Sequence, residues 1–146
     1  MKHWSKFQKA LYDIIAPEVE FQIHCVAYPM RSKIGWGHES VPRVWITIGK
    51  EIVWDFPRCC PKEQLDAMYY PYCGDLSFIS QTLRDYIDCP QSGLMAFDNE
   101  DKHWGLTPVL RACDRRIGKR RLQEIQTDSS IVREIIDSRM CRKTTL

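Results

Sequence analysis

A chain of 146 residues, 44% hydrophobic and 27% charged, suits one domain with a real core and is too ordinary in composition to be disordered. No apolar run approaches the ~18–20 residues that span a bilayer. The opening Met1-Lys2-His3-Trp4-Ser5-Lys6 leads straight into an amphipathic pattern, with no export signal.

Trp4, Phe7, Leu11, Ile14 and Ile15 recur at helical spacing and predict an N-terminal helix that ends before Pro17. The period then changes to two. Val19, Phe21, Ile23, Cys25 and Ala27 alternate with Glu20, Gln22 and His24, the pattern of a half-buried strand. Pro29 to Pro42, centred on Gly35-Trp36-Gly37, reads as a long loop. Arg43–Phe56 is rich in β-branched and aromatic residues and is broken only by Gly49-Lys50, which predicts a hairpin. A two-residue turn there sets Trp45 opposite Trp54 and Thr47 opposite Ile52; a longer loop shifts the register. Both tryptophans are expected in the core.

Pro57 closes the sheet. A short helix is expected from about Lys62, then irregular chain through Tyr69-Tyr70-Pro71-Tyr72. Asp75 is a candidate N-cap for a helix carrying Leu76, Ile79, Leu83, Tyr86 and Ile87, ended by Pro90. Residues 90–105 read as an acidic loop with a short extended piece at Leu94–Phe97. Thr107-Pro108 predicts a hydroxyl-capped helix running to about Ile117, with Gly118 as its stop. A short helix through Ile125 follows. Thr127–Ser130 then caps a last helix whose stripe is Ile131, Val132, Ile135, Ile136 and Met140. The fold class is α+β: an N-terminal helix, a three-stranded antiparallel sheet and a helical C-terminal half, in a single globular domain over residues 1–146.

The net charge of +2 hides an asymmetry. Residues 62–104 carry three basic and eight acidic side chains; residues 105–146 carry ten basic and five acidic. Such a split marks either a partner-binding surface or two segments of one domain that face each other, and both readings stay open. Within it, Arg111, Arg115, Arg116, Lys119, Arg120 and Arg121 form the densest run of cations. Guanidinium forks suit phosphate, so the run is a candidate polyanion or partner site. Its plain alternative is a solvated helix face neutralised by Asp114 and the acidic middle. Trp36, Tyr69, Tyr70 and Tyr72 are candidates for an aromatic partner surface, because exposed aromatics anchor protein interfaces.

Seven cysteines at irregular spacing, with no export signal, point to a reducing cytoplasm and to thiols used mostly as small apolar fillers. Cys59, Cys60, Cys73 and Cys89 lack the C-x-x-C spacing by which zinc is gripped, so no metal is expected. His38 would serve a nucleophilic cysteine only if a cysteine and a carboxylate converged on it. No G-x-S-x-G, phosphate-loop or dinucleotide fingerprint is present, and no cofactor is expected.

Three stretches carry a resemblance: the Trp4-Ser5-Lys6 opening, the Trp45-Ile46-Thr47-Ile48-Gly49-Lys50-Glu51-Ile52 strand pair, and Asp114-Arg115-Arg116-Ile117-Gly118-Lys119-Arg120-Arg121-Leu122. Together they resemble a family of small, uncharacterised bacterial single-domain proteins. The resemblance implies a bacterial, cytoplasmic protein and no residue roles. The function expected from the whole is a non-enzymatic module that binds another macromolecule, foremost a protein, as an immunity or antitoxin-like partner would. The alternative is a nucleic-acid-associated protein using Arg111–Arg121. No membrane association is expected.

Overall fold

The computed structural model describes residues 4–31, 38–56, 58–59, 77–97 and 104–141. The expected helix from Lys62, the Asp75 cap and the aromatics Trp36, Tyr69, Tyr70 and Tyr72 lie outside the described residues, as do Cys60 and Cys73. The side chain of His38 does too. The elements run α1 (Trp4–Asp13), β1 (Phe21–Arg31), β2 (His38–Ile48), β3 (Glu51–Phe56), α2 (Ser77–Asp88), a 3-10 segment (Gln91–Ala96), α3 (Leu106–Cys113), α4 (Lys119–Glu124) and α5 (Ser130–Cys141). This is the expected α+β order.

Leu11 of α1 is fully buried, and the helix is laced to β1 by its polar side chains. Gln8 donates to the Ile23 carbonyl at 2.9 Å, and the Tyr12 hydroxyl accepts from the Ile23 amide at 3.1 Å. Beyond α1 the chain pairs with the distant C-terminal half through the bridge Ile15–Asp114. There the Ala16 amide donates to the Cys113 carbonyl and the Arg115 amide to the Ile14 carbonyl, each at 2.8 Å.

The sheet is antiparallel in the order β1-β2-β3. Its first ladder runs from Phe21–Ile48 to Arg31–His38, so most of the expected Pro29–Pro42 loop is strand. Both prolines fit because each lies where its strand has one neighbour: β1 is an edge, and β2 before Val44 extends past β3. The Gly49-Lys50 turn is confirmed, with Ile48 opposite Glu51 and Thr47 opposite Ile52. Then the register slips. Ile46 faces Trp54 and Trp45 faces Asp55, so Val53 is the extra residue of a β-bulge. The expected Trp45–Trp54 pair therefore does not form. Trp54 turns into the core at 4% exposure, while Trp45 lies on the opposite face.

One hydrophobic cluster joins both halves of the chain. It includes Leu11, Ile23, Ile46 and Phe56 with Leu83, Tyr86, Leu110, Ile117, Leu122 and Ile136. Four helical details differ from expectation. The Leu94–Phe97 piece is mostly helical, since Leu94–Ala96 belong to the 3-10 segment. Helix α3 starts at Leu106 after Gly105, whose φ of 98° only glycine adopts readily, and Thr107 sits fully buried inside the first turn. The same helix stops at Cys113, four residues early, because the chain turns there to bridge α1. Gly118 consequently begins α4 and stops nothing. The cap of α5 is as expected, with Ser129 Oγ accepting from the Val132 amide at 3.2 Å.

Candidate functional site

The face of the sheet opposite the core gathers a small set of polar and aromatic side chains. Residues of alternate parity on each strand place Gln22, His24 and Val26 there from β1, and Arg43, Trp45 and Thr47 from β2. The bulge brings Asp55 and Ile52 of β3 onto the same face. At its centre the His24 imidazole stacks on the Trp45 indole, with ring centroids 4.7 Å apart and planes 17° from parallel. The Arg43 guanidinium lies 4.2 Å from the centroid of the same indole. It is locked in place by a two-pronged bond to Asp55, Nε to Oδ1 at 3.0 Å and a terminal nitrogen to Oδ2 at 2.8 Å. His24 Nε2 meets Thr47 Oγ1 at 3.3 Å. Val26 and Ile52, 38% and 46% exposed, are the exposed large hydrophobics among the described residues, and both lie on this face. The result is a rigid, charge-paired aromatic patch with aliphatic side chains on the two outer strands.

The basic run does something different. Arg111 donates to the carbonyls of Leu94 at 3.2 Å and Phe97 at 2.6 Å and so ties down the 3-10 segment. Arg116 reaches the carbonyls of Tyr86, Ile87 and Cys89 at 3.1–3.3 Å, and its guanidinium also binds Asp114 Oδ2 at 2.9 Å. Arg121 donates to the Gln91 carbonyl at 3.1 Å. Arg115, Lys119 and Arg120 make no side-chain bond with the described residues; Arg115 and Arg120 are exposed. Arg115 lies past the end of α3, so it is not on one helix face with Arg111.

Asp114 is fully buried and forms the hub of this region. It accepts the Tyr86 hydroxyl at 2.6 Å, the Arg116 amide at 2.8 Å and the Arg116 guanidinium. Burial, then the Asp114 charge and hydrogen bond, push the Tyr86 phenol far above its ordinary range. Burial works against the Arg116 charge, but Asp114 outweighs it and holds the guanidinium above its usual value. Beside this hub, Arg139 of α5 is 5% exposed and donates to the carbonyls of Ala112, Asp114 and Ile117, each at 3.0 Å. Its Nε lies 3.5 Å from Glu18. Arg139 escaped sequence reading, although it occupies an apolar-stripe position three residues after Ile136.

The cysteines are free thiols at positions 25, 59, 89, 113 and 141 among the described residues. Cys113 is fully buried and its thiol is pushed up to about 12, chiefly by burial, so it holds its proton at neutral pH. Cys25 is raised too, again by burial. Among the described residues no three His, Cys, Asp or Glu side chains are grouped to hold a metal ion. Nor is any described helix long and apolar enough to cross a membrane.

The helix and strands of the N-terminal half fall within a family-model match. Residues 3–72 match the SF0329 protein family. The match spans 70 of the 146 residues and fits the expected likeness to a small, uncharacterised family. It takes in α1 and the whole sheet, hence every residue of the Trp45 patch, whereas Asp114 and the basic run lie beyond the SF0329 match. No curated protein and no solved structure matches the chain.

Proposed function

We propose that this chain is a non-enzymatic protein-binding module of the bacterial cytoplasm, and that the outer sheet face around Trp45 is its docking surface. The observation that carries this reading is the indole held between β1 and β3, with His24 and Arg43 against it and exposed Val26 and Ile52 to either side. Tryptophan and arginine are enriched among the residues that dominate the energetics of protein interfaces, tryptophan because its large, rigid ring buries much area. Here their rotamers are already fixed by stacking and by Asp55, so little ordering entropy is lost on docking. The Arg43–Asp55 pair leaves the patch without surplus charge, which suits a protein surface better than a phosphate backbone. The imidazole and guanidinium also occupy the indole, so a nucleobase would have to displace one of them to stack. An immunity or antitoxin-like role is one form such a module takes.

Affinity capture of the tagged protein from its native lysate, with and without nuclease, tests the reading. One protein partner should be retained equally in both halves, and Trp45→Ala or Ile52→Glu should reduce its recovery at least tenfold. A partner set that disappears with nuclease, and is insensitive to Trp45→Ala, would instead move the function to Arg115, Lys119 and Arg120. Trp45→Ala that leaves a protein partner fully bound would also defeat the proposal.

A further inference from the structure

A recess lies at the turn end of the hairpin, where Gly49 and α5 residues line it together. The cavity there has a volume of about 210 Å³. Its floor is aliphatic: Val19 before β1, Ile48 and Val53 of the hairpin, and Ile131 and Ile135 of α5. Val53 lines it as the extra residue of the bulge, so the slip that sends Trp54 into the core also furnishes this floor. Around the rim stand Glu18, Glu20, Glu51 and Glu134. Glu18 is engaged by Arg139. Glu20, Glu51 and Glu134 are exposed and make no ion pair with the described residues, although Lys50 and Arg133 adjoin two of them in the chain. No lysine or arginine lines the recess.

We propose that this recess receives a single lysine or arginine side chain from a segment of a protein partner. Size supports one side chain: the hollow is far larger than the ~30 Å³ of a water and smaller than the ~300–1,000 Å³ pockets that hold drug-sized ligands. Shape and charge support a long cation. Its methylene stem lies along the aliphatic floor while its charged head reaches the carboxylate rim, the division that lysine and arginine make at any apolar–water boundary. The site does not depend on the Trp45 face, and it is local: the chain as a whole carries a charge of +2, which gives cations no general attraction.

The test is an NMR titration of the full chain with acetylated, amidated pentapeptides Ala-Ala-Lys-Ala-Ala, Ala-Ala-Arg-Ala-Ala and Ala-Ala-Glu-Ala-Ala, and with spermidine. The lysine and arginine peptides should shift the amides of Val19, Gly49 and Ile135 saturably, and the glutamate peptide should not. The combined variant Glu20→Gln, Glu51→Gln, Glu134→Gln should weaken that binding roughly tenfold, since each exposed ion pair contributes a small factor. Glu124→Gln, an exposed acid on α4, should leave it unchanged. All four positions are exposed, so the variants keep the fold, which their unshifted core resonances would verify. Absence of saturable shifts with the basic peptides, equal binding by the combined variant, or binding of spermidine alone would overturn the proposal.

Discussion

Asp114 satisfies a phenol, a backbone amide and a guanidinium at once from a position with no solvent access. Removing one partner of a buried charged pair costs far more than the pair contributes, because the other charge stays buried. Asp114→Ala should therefore lower stability by about 3–5 kcal/mol in urea unfolding. Tyr86→Phe, which removes one donor and leaves Arg116 in place, should cost about 1–3 kcal/mol. The double variant should cost less than the two added, since both act through one carboxylate. The sequence left the arginines either as phosphate forks or as a solvated face neutralised by Asp114 and the acidic middle, and neither alternative was a buried cage. Whether an arginine is free or caged depends on where backbone carbonyls lie. Arg116 is met by those of residues 86–89, nearly thirty positions upstream, and no local pattern records that.

Among the elements, the hairpin was the most legible, and its turn rests on one residue. Gly49 adopts φ +61°, and a Cβ placed on it would stand 3.2 Å from a Glu20 carboxylate oxygen. Gly49→Ala should lower stability by about 1–2 kcal/mol in thermal or urea unfolding, and Gly49→Asn by less, because asparagine tolerates the left-handed region. The bulge above this turn was not legible: Ile52-Val53-Trp54 can face either side equally well. For Trp45 the signal was present. It shares parity with Arg43 and Thr47, whereas Val44, Ile46 and Ile48 share the other, and that alternation already assigns the indole to the outer face. Its aromatic bulk suggested the core instead. Helix boundaries failed for a related reason: glycine at 118 resembles a stop, yet its φ of −78° makes no use of glycine's freedom.

At the scale of the molecule, the fold class followed from the change of period after Pro17 and from the clustering of helical stripes beyond residue 77. The pairing of the two halves did not, since it runs through backbone groups. A pH dependence belongs to this scale because its two most strongly shifted groups come from different helices of one core. Cys113 is raised from 9.0 to about 12, and Tyr86 is raised above its ordinary 10.0. In the unfolded chain both lose their protons at their ordinary values, whereas the folded chain keeps them. The unfolded state then binds fewer protons, so rising pH favours unfolding. Stability should be level below about pH 9 and fall steadily from there to pH 12, by ~1.4 kcal/mol per pH unit for each group engaged. Melting temperatures across that range would check it, and Cys113→Ala should make the fall between pH 9 and 12 shallower.

The bridge between Ile15 and Asp114 gives the partial SF0329 match an unusual meaning for this chain. The SF0329 match ends at residue 72, yet α1 leaves its last turn by pairing with residues 113–115, and Glu18 faces Arg139. The boundary of the match thus separates two stretches of backbone that share hydrogen bonds. A C-terminal half grafted from another protein would have to offer the same pair of backbone partners to Ile14 and Ala16 and a cation to Glu18. The first half alone would leave the Ile14 carbonyl, the Ala16 amide and Glu18 without these partners.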